Sequence, residues 1–215
     1  MVSKGESTRD RILQATQGLI LENGFSATSI DKVLERTRLT KGAFFYHFKN
    51  KDALTNAVIE RYVQSEHEQL TGTFHRAGRL SDDPLQQLLI MVGLLIEGSE
   101  HAMRQAETLN PGCLFGSYAY ELPAATEEGR ALMRAAAEDW RKMLRDKLDE
   151  VVQRYPPRAE VDLDALADGL LVAFEGGLVL ARLLGDRERS LDHLKLYRTQ
   201  LELLFLPGEG NAGGA

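Results

Sequence analysis

Thr28-Ser29-Ile30-Asp31-Lys32-Val33-Leu34, then Leu39-Thr40-Lys41-Gly42-Ala43-Phe44-Phe45-Tyr46-His47-Phe48, then Lys49-Asn50-Lys51-Asp52-Ala53-Leu54 is the stretch that decides the fold of this 215-residue chain. It reads as two short helices around a tight turn, the second basic, hydroxyl-bearing and aromatic, followed by the start of another helix. That is the plan of a helix-turn-helix reader of DNA. From Arg36 to Lys51 there is no Asp or Glu, while Arg36, Arg38, Lys41, Lys49 and Lys51 all fall inside it. Such a segment in an acidic protein suits a surface that meets phosphate.

The whole chain carries a net charge of −6 with 43% hydrophobic and 27% charged residues, which fits a compact protein with a substantial core. The charge is unevenly placed. Residues 1–61 hold 10 Lys+Arg against 7 Asp+Glu, and the remainder 16 against 25. A basic head on an acidic body is expected where only one part of a chain touches nucleic acid. The single cysteine, Cys113, rules out an intrachain disulfide. The start of the chain is short and polar with no apolar core behind it, and the longest apolar run, Gly169 to Ala181, is broken by Glu175. The expectation is a cytoplasmic protein with no membrane partner.

Helical periodicity runs through nearly all of the chain, and the fold class expected is all-α with about nine helices. Ile12, Ala15, Thr16, Leu19 and Ile20 mark a first helix that Gly24 stops. Thr28, with Asp31 three positions on, reads as the cap of a second over Ser29–Glu35; Thr40 starts a third. Asn50 starts a fourth, to about His75, and Asp82-Asp83-Pro84 a fifth. After Asn110-Pro111-Gly112, Cys113–Leu122 is a short apolar helix ended by Pro123. Thr126 caps a long one to about Arg154, before Pro156-Pro157. Two more, Leu163–Leu184 and Leu191–Leu206, flank the charged turn Gly185–Ser190, and the glycine-rich tail 207–215 is expected to be disordered. The domains are then a DNA-binding head over 1–54, continuing into a linking helix to about 76, and an effector-binding and dimerisation body over 77–206.

In the third helix, Val33, Leu39, Phe44 and Phe48 are the packing residues. Thr40, Lys41, Gly42, Ala43, Phe45, Tyr46 and His47 are the groove-facing set. Lys41 donates to guanine O6 and N7, and Thr40 to a base edge or phosphate. Gly42 and Ala43 permit close approach, Phe45 makes apolar contact, and Tyr46 and His47 bond phosphates. Thr28 and Ser29 on one flank, and Lys51 with the amides opening the fourth helix on the other, are expected to clamp the backbone.

These residues resemble the tetracycline-repressor (TetR) family of bacterial regulators over roughly Thr8–Leu54. The family pattern is matched by Gly24-Phe25, Thr28-Ser29-Ile30, Phe45-Tyr46-His47-Phe48, and Lys51 with Leu54. Two positions depart from it. Thr37-Arg38 replaces the usual Ala-Gly at the turn, and Leu34 replaces a small residue, so Arg38 must take a less favourable backbone conformation or a different turn. The resemblance implies an N-terminal reading head, a body with a small-molecule pocket, and a four-helix bundle between two subunits formed by the last two helices.

A short helix-turn-helix reads few base pairs, so a homodimer on a palindromic double-stranded operator is expected. Its interface is assigned to Leu166, Leu170, Gly176, Gly177 and Leu178 with Leu194, Tyr197, Leu201, Leu204 and Phe205, and the glycine pair is expected to allow close helix approach. The pocket for an unknown small-molecule effector is assigned to Met91, Leu95, Met103, Cys113, Phe115, Tyr118, Tyr120, Trp140, Met143, Phe174 and Glu175. Cys113, after Pro111-Gly112 at a helix start, raises the alternative of a thiol-based sensor of electrophiles or oxidants, resembling regulators with a Gly-Cys-Leu segment there. Neither metal-ligand spacing, a phosphate-cradling glycine loop nor a nucleophile elbow occurs, so no enzyme, cofactor or metal is expected. The function expected is a ligand-responsive repressor, with an activator as the alternative within regulation.

Overall fold

The structure is a computed structural model that describes residues 4–105, 113–121 and 125–206. Its described elements are all α-helical: α1 Lys4–Asn23, α2 Ile30–Thr37, α3 Lys41–His47, α4 Lys51–Leu80, α5 Pro84–Gln105, α6 Leu114–Tyr120, α7 Glu127–Arg154, α8 Leu163–Leu184 and α9 Arg189–Phe205. The expected turn at Asn110-Pro111-Gly112, the stop at Leu122-Pro123 and the tail 207–215 lie outside the described residues.

Most boundaries follow from local chemistry. Gly24 ends α1 with φ 87, a conformation that costs glycine little. Thr40 Oγ1 accepts from Ala43 N at 3.2 Å, Asn50 Oδ1 from Ala53 N at 2.8 Å, and Thr126 Oγ1 from Gly129 N at 3.0 Å. Each satisfies an amide that the helix itself leaves unbonded. Asp83 Oδ1 accepts from Gln86 N at the start of α5, where Pro84 takes the first helical position, and Asp162 caps α8.

Several boundaries differ from the sequence reading, among them α6, which spans Leu114–Tyr120 rather than Cys113–Leu122. The cap of α2 is Ser29, accepting from Lys32 N at 3.3 Å, and not Thr28, because Thr28 turns inward and donates to Gly24 O at 2.8 Å. α2 continues to Thr37, α4 runs five residues past His75 to Leu80, and α9 starts at Arg189 inside the charged turn.

The chain forms two compact units: Met1–His67 with Pro111–Ala137, and Glu68–Asn110 with Glu138–Ala215. The first holds residues 1–54 together with part of α4, with α6 and with the start of α7. Its core is built from Ile12, Leu13, Ile20, Val33, Phe44, Leu54 and Ile59, and Leu114, Tyr118 and Met133 from α6 and α7 complete it. The second core joins α5, α7, α8 and α9 through Leu88, Met91, Leu148, Leu170, Tyr197 and Leu201. No described helix is long and apolar enough to cross a membrane.

Candidate nucleic-acid interface

α3 has seven residues, too few to hold a helix in water alone, so packing must present it. Phe44 is completely buried and Phe48 nearly so, their rings 5.9 Å apart, and the Arg9 guanidinium from α1 lies 5.4 Å from the Phe48 ring centre. Burying Phe44 contributes roughly 1.5–3 kcal/mol, which anchors the helix from below. The opposite side is open. Thr40, Lys41, Gly42, Phe45 and Tyr46 are exposed, Tyr46 to 84%, while Ala43 and His47 are half-buried. Large aromatic rings held outward on an otherwise packed helix form a contact surface rather than a core.

The turn before α3 contains Arg38 at φ 55 and ψ 34, the left-handed conformation that the sequence raised as one of two outcomes. Arg38 N donates to Glu35 O and Leu39 N to Leu34 O, the paired bonds that close a helix through a left-handed residue. The Cβ of Arg38 makes this conformation cost about 1–2 kcal/mol more than glycine would.

The basic residues divide by environment. Arg36 forms a forked pair with Glu22 of α1, with contacts of 3.1 and 2.7 Å. Glu22 is held below the usual carboxylate range by that hydrogen bond. Lys41 Nζ is 3.5 Å from Asp31 Oδ1, both highly exposed, so the pair is weak and easily exchanged for a phosphate or a base. Arg38 and Lys49 are exposed.

Two of the expected contacts, Thr28 and Lys51, are engaged within the chain. Thr28 is buried, with its hydroxyl bonded to Gly24 O, so its side chain shapes the turn and is not presented to a duplex. Lys51 is half-buried, and its Nζ donates to Phe25 O at 2.9 Å and Ser26 O at 3.4 Å. Its ammonium thus braces the turn that leads into α2. Ser29 is exposed while capping α2.

The residues assigned to the dimer interface need a larger correction. Leu166, Leu170, Leu178, Leu194, Tyr197, Leu201 and Phe205 are buried within the second unit, and Leu204 packs half-buried on the same core. Tyr197 donates to Leu166 O at 2.9 Å, and burial raises its phenol above the usual range. Gly177 does permit close approach, but inside one subunit: a Cβ there would meet Ser190 O of the chain's own backbone at 2.5 Å. Only Gly176 faces outward. α8 is apolar on nearly every side, so its sequence left open which face turns inward. The exposed large apolar positions are Val172, Val179, Leu180, Leu183 and Leu184 on α8, with Leu196 and Leu203 on α9. Gly169, Gly176, His193 and Gln200 line the shallow groove beside them.

The assigned pocket residues are divided between the two units. Cys113, Phe115, Tyr118 and Tyr120 belong to the first unit, the other seven to the second. Tyr120 is 80% exposed, and Met91 is completely buried core. Leu95, Met103, Trp140, Met143 and Phe174 pack half-buried on that core, and Glu175 is half-buried on α8. Tyr118 packs edge-on to Phe25 with ring centres 5.3 Å apart, and burial raises its phenol. Cys113 Sγ and Tyr62 Oη share a hydrogen bond of 2.8 Å. Among the described residues there is no group of three or more His, Cys, Asp or Glu placed to hold a metal ion.

Two family matches cover more than half the chain between them. Residues 12–58 match the bacterial regulatory proteins of the tetR family, and residues 91–195 the tetracyclin repressor-like C-terminal domain. The chain is 28% identical over 165 residues to the transcriptional regulator AcuR of Cereibacter sphaeroides, covering 76% of this chain and 71% of that one. It is 22% identical over 203 residues to the HTH-type transcriptional repressor DhaR of a Mycobacterium species, covering 94% of each. The crystal structure of regulatory protein TetR from Rhodobacter sphaeroides superposes with a TM-score of 0.71 and 26% identity, over 92% of this chain and 98% of that one. With a packed α3 turning its hydroxyl, basic and aromatic side chains outward, and both halves of the chain matched, this protein belongs to the TetR family of DNA-binding transcriptional regulators.

Proposed function

We propose that the protein is a dimeric repressor that reads a palindromic operator with α3 and is released by a small-molecule effector. The observation that carries this is the outward row Thr40, Lys41, Gly42, Phe45 and Tyr46 above a completely buried Phe44. In this reading Lys41 donates to guanine, Thr40 to a base edge or phosphate, and Phe45 covers a thymine methyl or a sugar. Gly42 and Ala43 let the backbone close on the groove. Tyr46, His47 and Ser29 bond phosphates, and Lys51 supports the turn that leads into α2. The repressor sense is that of the mycobacterial relative's description, and the site of action is the cytoplasm, where the duplex lies. The head over 1–54 with its linking helix reads the operator, and the body over 77–206 dimerises and binds the effector.

The second copy is proposed to cover Val172, Val179, Leu183, Leu196 and Leu203. Val172, Val179 and Leu183 recur at helical spacing along α8, as Leu196 and Leu203 do along α9, and Val172, Val179 and Leu196 line one shallow groove. Selection of bound sequences from random duplexes by the intact protein tests the proposal. A two-fold symmetric site is expected; no enrichment, or a single asymmetric half-site bound by one subunit, contradicts it.

One observation favours a second reading, in which the effector is an electrophile that adds to Cys113. The Sγ–Tyr62 hydrogen bond couples the thiol to α4 at the point where α6 begins. Treatment with a maleimide is then expected to release DNA from the wild type and leave Cys113→Ala bound. Equal release from both removes this reading.

A further inference from the structure

The structure assigns to Glu121, at the end of α6, the role of a positioning residue for DNA reading: its carboxylate holds the α1–α2 turn and makes the placing of α2 and α3 depend on α6. This rests on the proposal that α3 reads the duplex. Glu121 Oε1 accepts from Phe25 N and Oε2 from Ser26 N, both at 2.8 Å. From the other side Lys51 Nζ donates to the carbonyls of the same two residues. The turn's two amides and two carbonyls are thus bound between a carboxylate and an ammonium brought in from different helices.

Gly24 is shaped to this arrangement twice over. Its φ of 87 suits glycine, and a Cβ there would meet Glu121 Oε1 at 2.4 Å. α6 also grips the turn through a second side chain, since Tyr118 packs edge-on against Phe25. The segment between the held amides and the cap of α2 is only two residues long, so the position of the turn passes directly to Ser29 and the helix it starts.

Burial alone would push the Glu121 carboxyl up. The hydrogen bonds from Ser26 and Phe25, with the Lys51 charge, outweigh it and lower the pKa, so the acceptor is ionised at neutral pH. Such charge-assisted bonds weaken steeply once the heavy atoms separate beyond about 3.5 Å. A displacement of α6 by about an ångström therefore releases both amides together.

The test compares wild type, Glu121→Ala, Glu121→Gln and Lys41→Ala. Three readouts are taken: affinity for a selected duplex by fluorescence anisotropy, hydrogen exchange of the Phe25 and Ser26 amides by NMR, and thermal unfolding. Glu121→Ala is expected to weaken duplex binding about tenfold or more and to speed exchange at both amides, and to lower the unfolding midpoint by only a few degrees so that the variant stays folded in the assay. Gln, which keeps one acceptor and the volume, is expected to fall between Ala and Glu in both readouts. Lys41→Ala weakens binding and leaves the exchange unchanged. Exposed, fast-exchanging Phe25 and Ser26 amides in the wild type overturn the inference even if the alanine variant does not fold. So does wild-type affinity in Glu121→Ala or Glu121→Gln. A wild type that binds no duplex while protecting both amides defeats the DNA-reading proposal and not the clamp.

Discussion

Lys41, Arg38 and Thr28 show how much of this interface depends on single side chains. Lys41 lies exposed beside Asp31, an ion pair worth little in water, so its ammonium is available to a base. Lys41→Ala is expected to cost about 1–3 kcal/mol at one base position and to relax preference there, read from salt-titrated binding to the selected site and its single-base variants. An equal loss for every sequence would assign Lys41 to the phosphates. Arg38 carries backbone strain that a glycine would not, so Arg38→Gly is expected to stabilise the fold by about 1 kcal/mol in denaturant unfolding. A loss of stability would mean that the Arg38 side chain contributes more than its conformation costs. Thr28 was readable as a cap because Thr and Ser both accept from helix amides. Which of two adjacent hydroxyls faces the helix is decided by the turn from Gly24, and only Ser29 reaches Lys32 N.

At the scale of helices, starts and stops were largely legible, because caps act over three or four residues. Thr40, Asn50, Asp83-Pro84 and Thr126 each have their acceptor beside the amides they satisfy. Faces were not legible where a helix is apolar all round, and α8 is the case in point: Leu170 turns inward and Val172, two positions on, turns to solvent. Glu121 was missed for a different reason. Its partner amides lie 96 and 95 positions earlier, beyond any local pattern. The close packing of α8 on α9 gives a direct test: Gly177→Ala forces a Cβ into the Ser190 backbone and is expected to destabilise by about 1–3 kcal/mol. An unchanged unfolding midpoint would refute that packing. The start of α5 titrates. The Tyr155 hydrogen bond first, helped by the Gln86 amide and by Arg154, holds the Asp83 carboxyl below its usual value. A depressed folded pKa gives stability that is complete above the unfolded value, about 4, and lost as pH falls through the folded one. Tyr155→Phe should therefore lose less stability between pH 5 and pH 2 than the wild type; parallel acid curves would contradict it.

For the whole molecule, the proposed reading helix is α3, and the exposed apolar side of α8 and α9 is the place a second copy would cover. Val172→Glu with Leu203→Glu places unpaired charges on that side without touching the subunit's own core. Sedimentation equilibrium is expected to show a folded monomer, and operator affinity to fall by about two orders of magnitude or more. A dimer of unchanged strength would place the interface elsewhere. The most direct measurement is dimethyl sulfate interference on the selected duplex, which reports guanine N7 in the major groove and adenine N3 in the minor groove. Two symmetric clusters of N7 interference, centred about one helical turn or a multiple of it apart, are the result expected from two α3 helices on one face of the duplex. A single cluster, or interference confined to adenine N3, would contradict it.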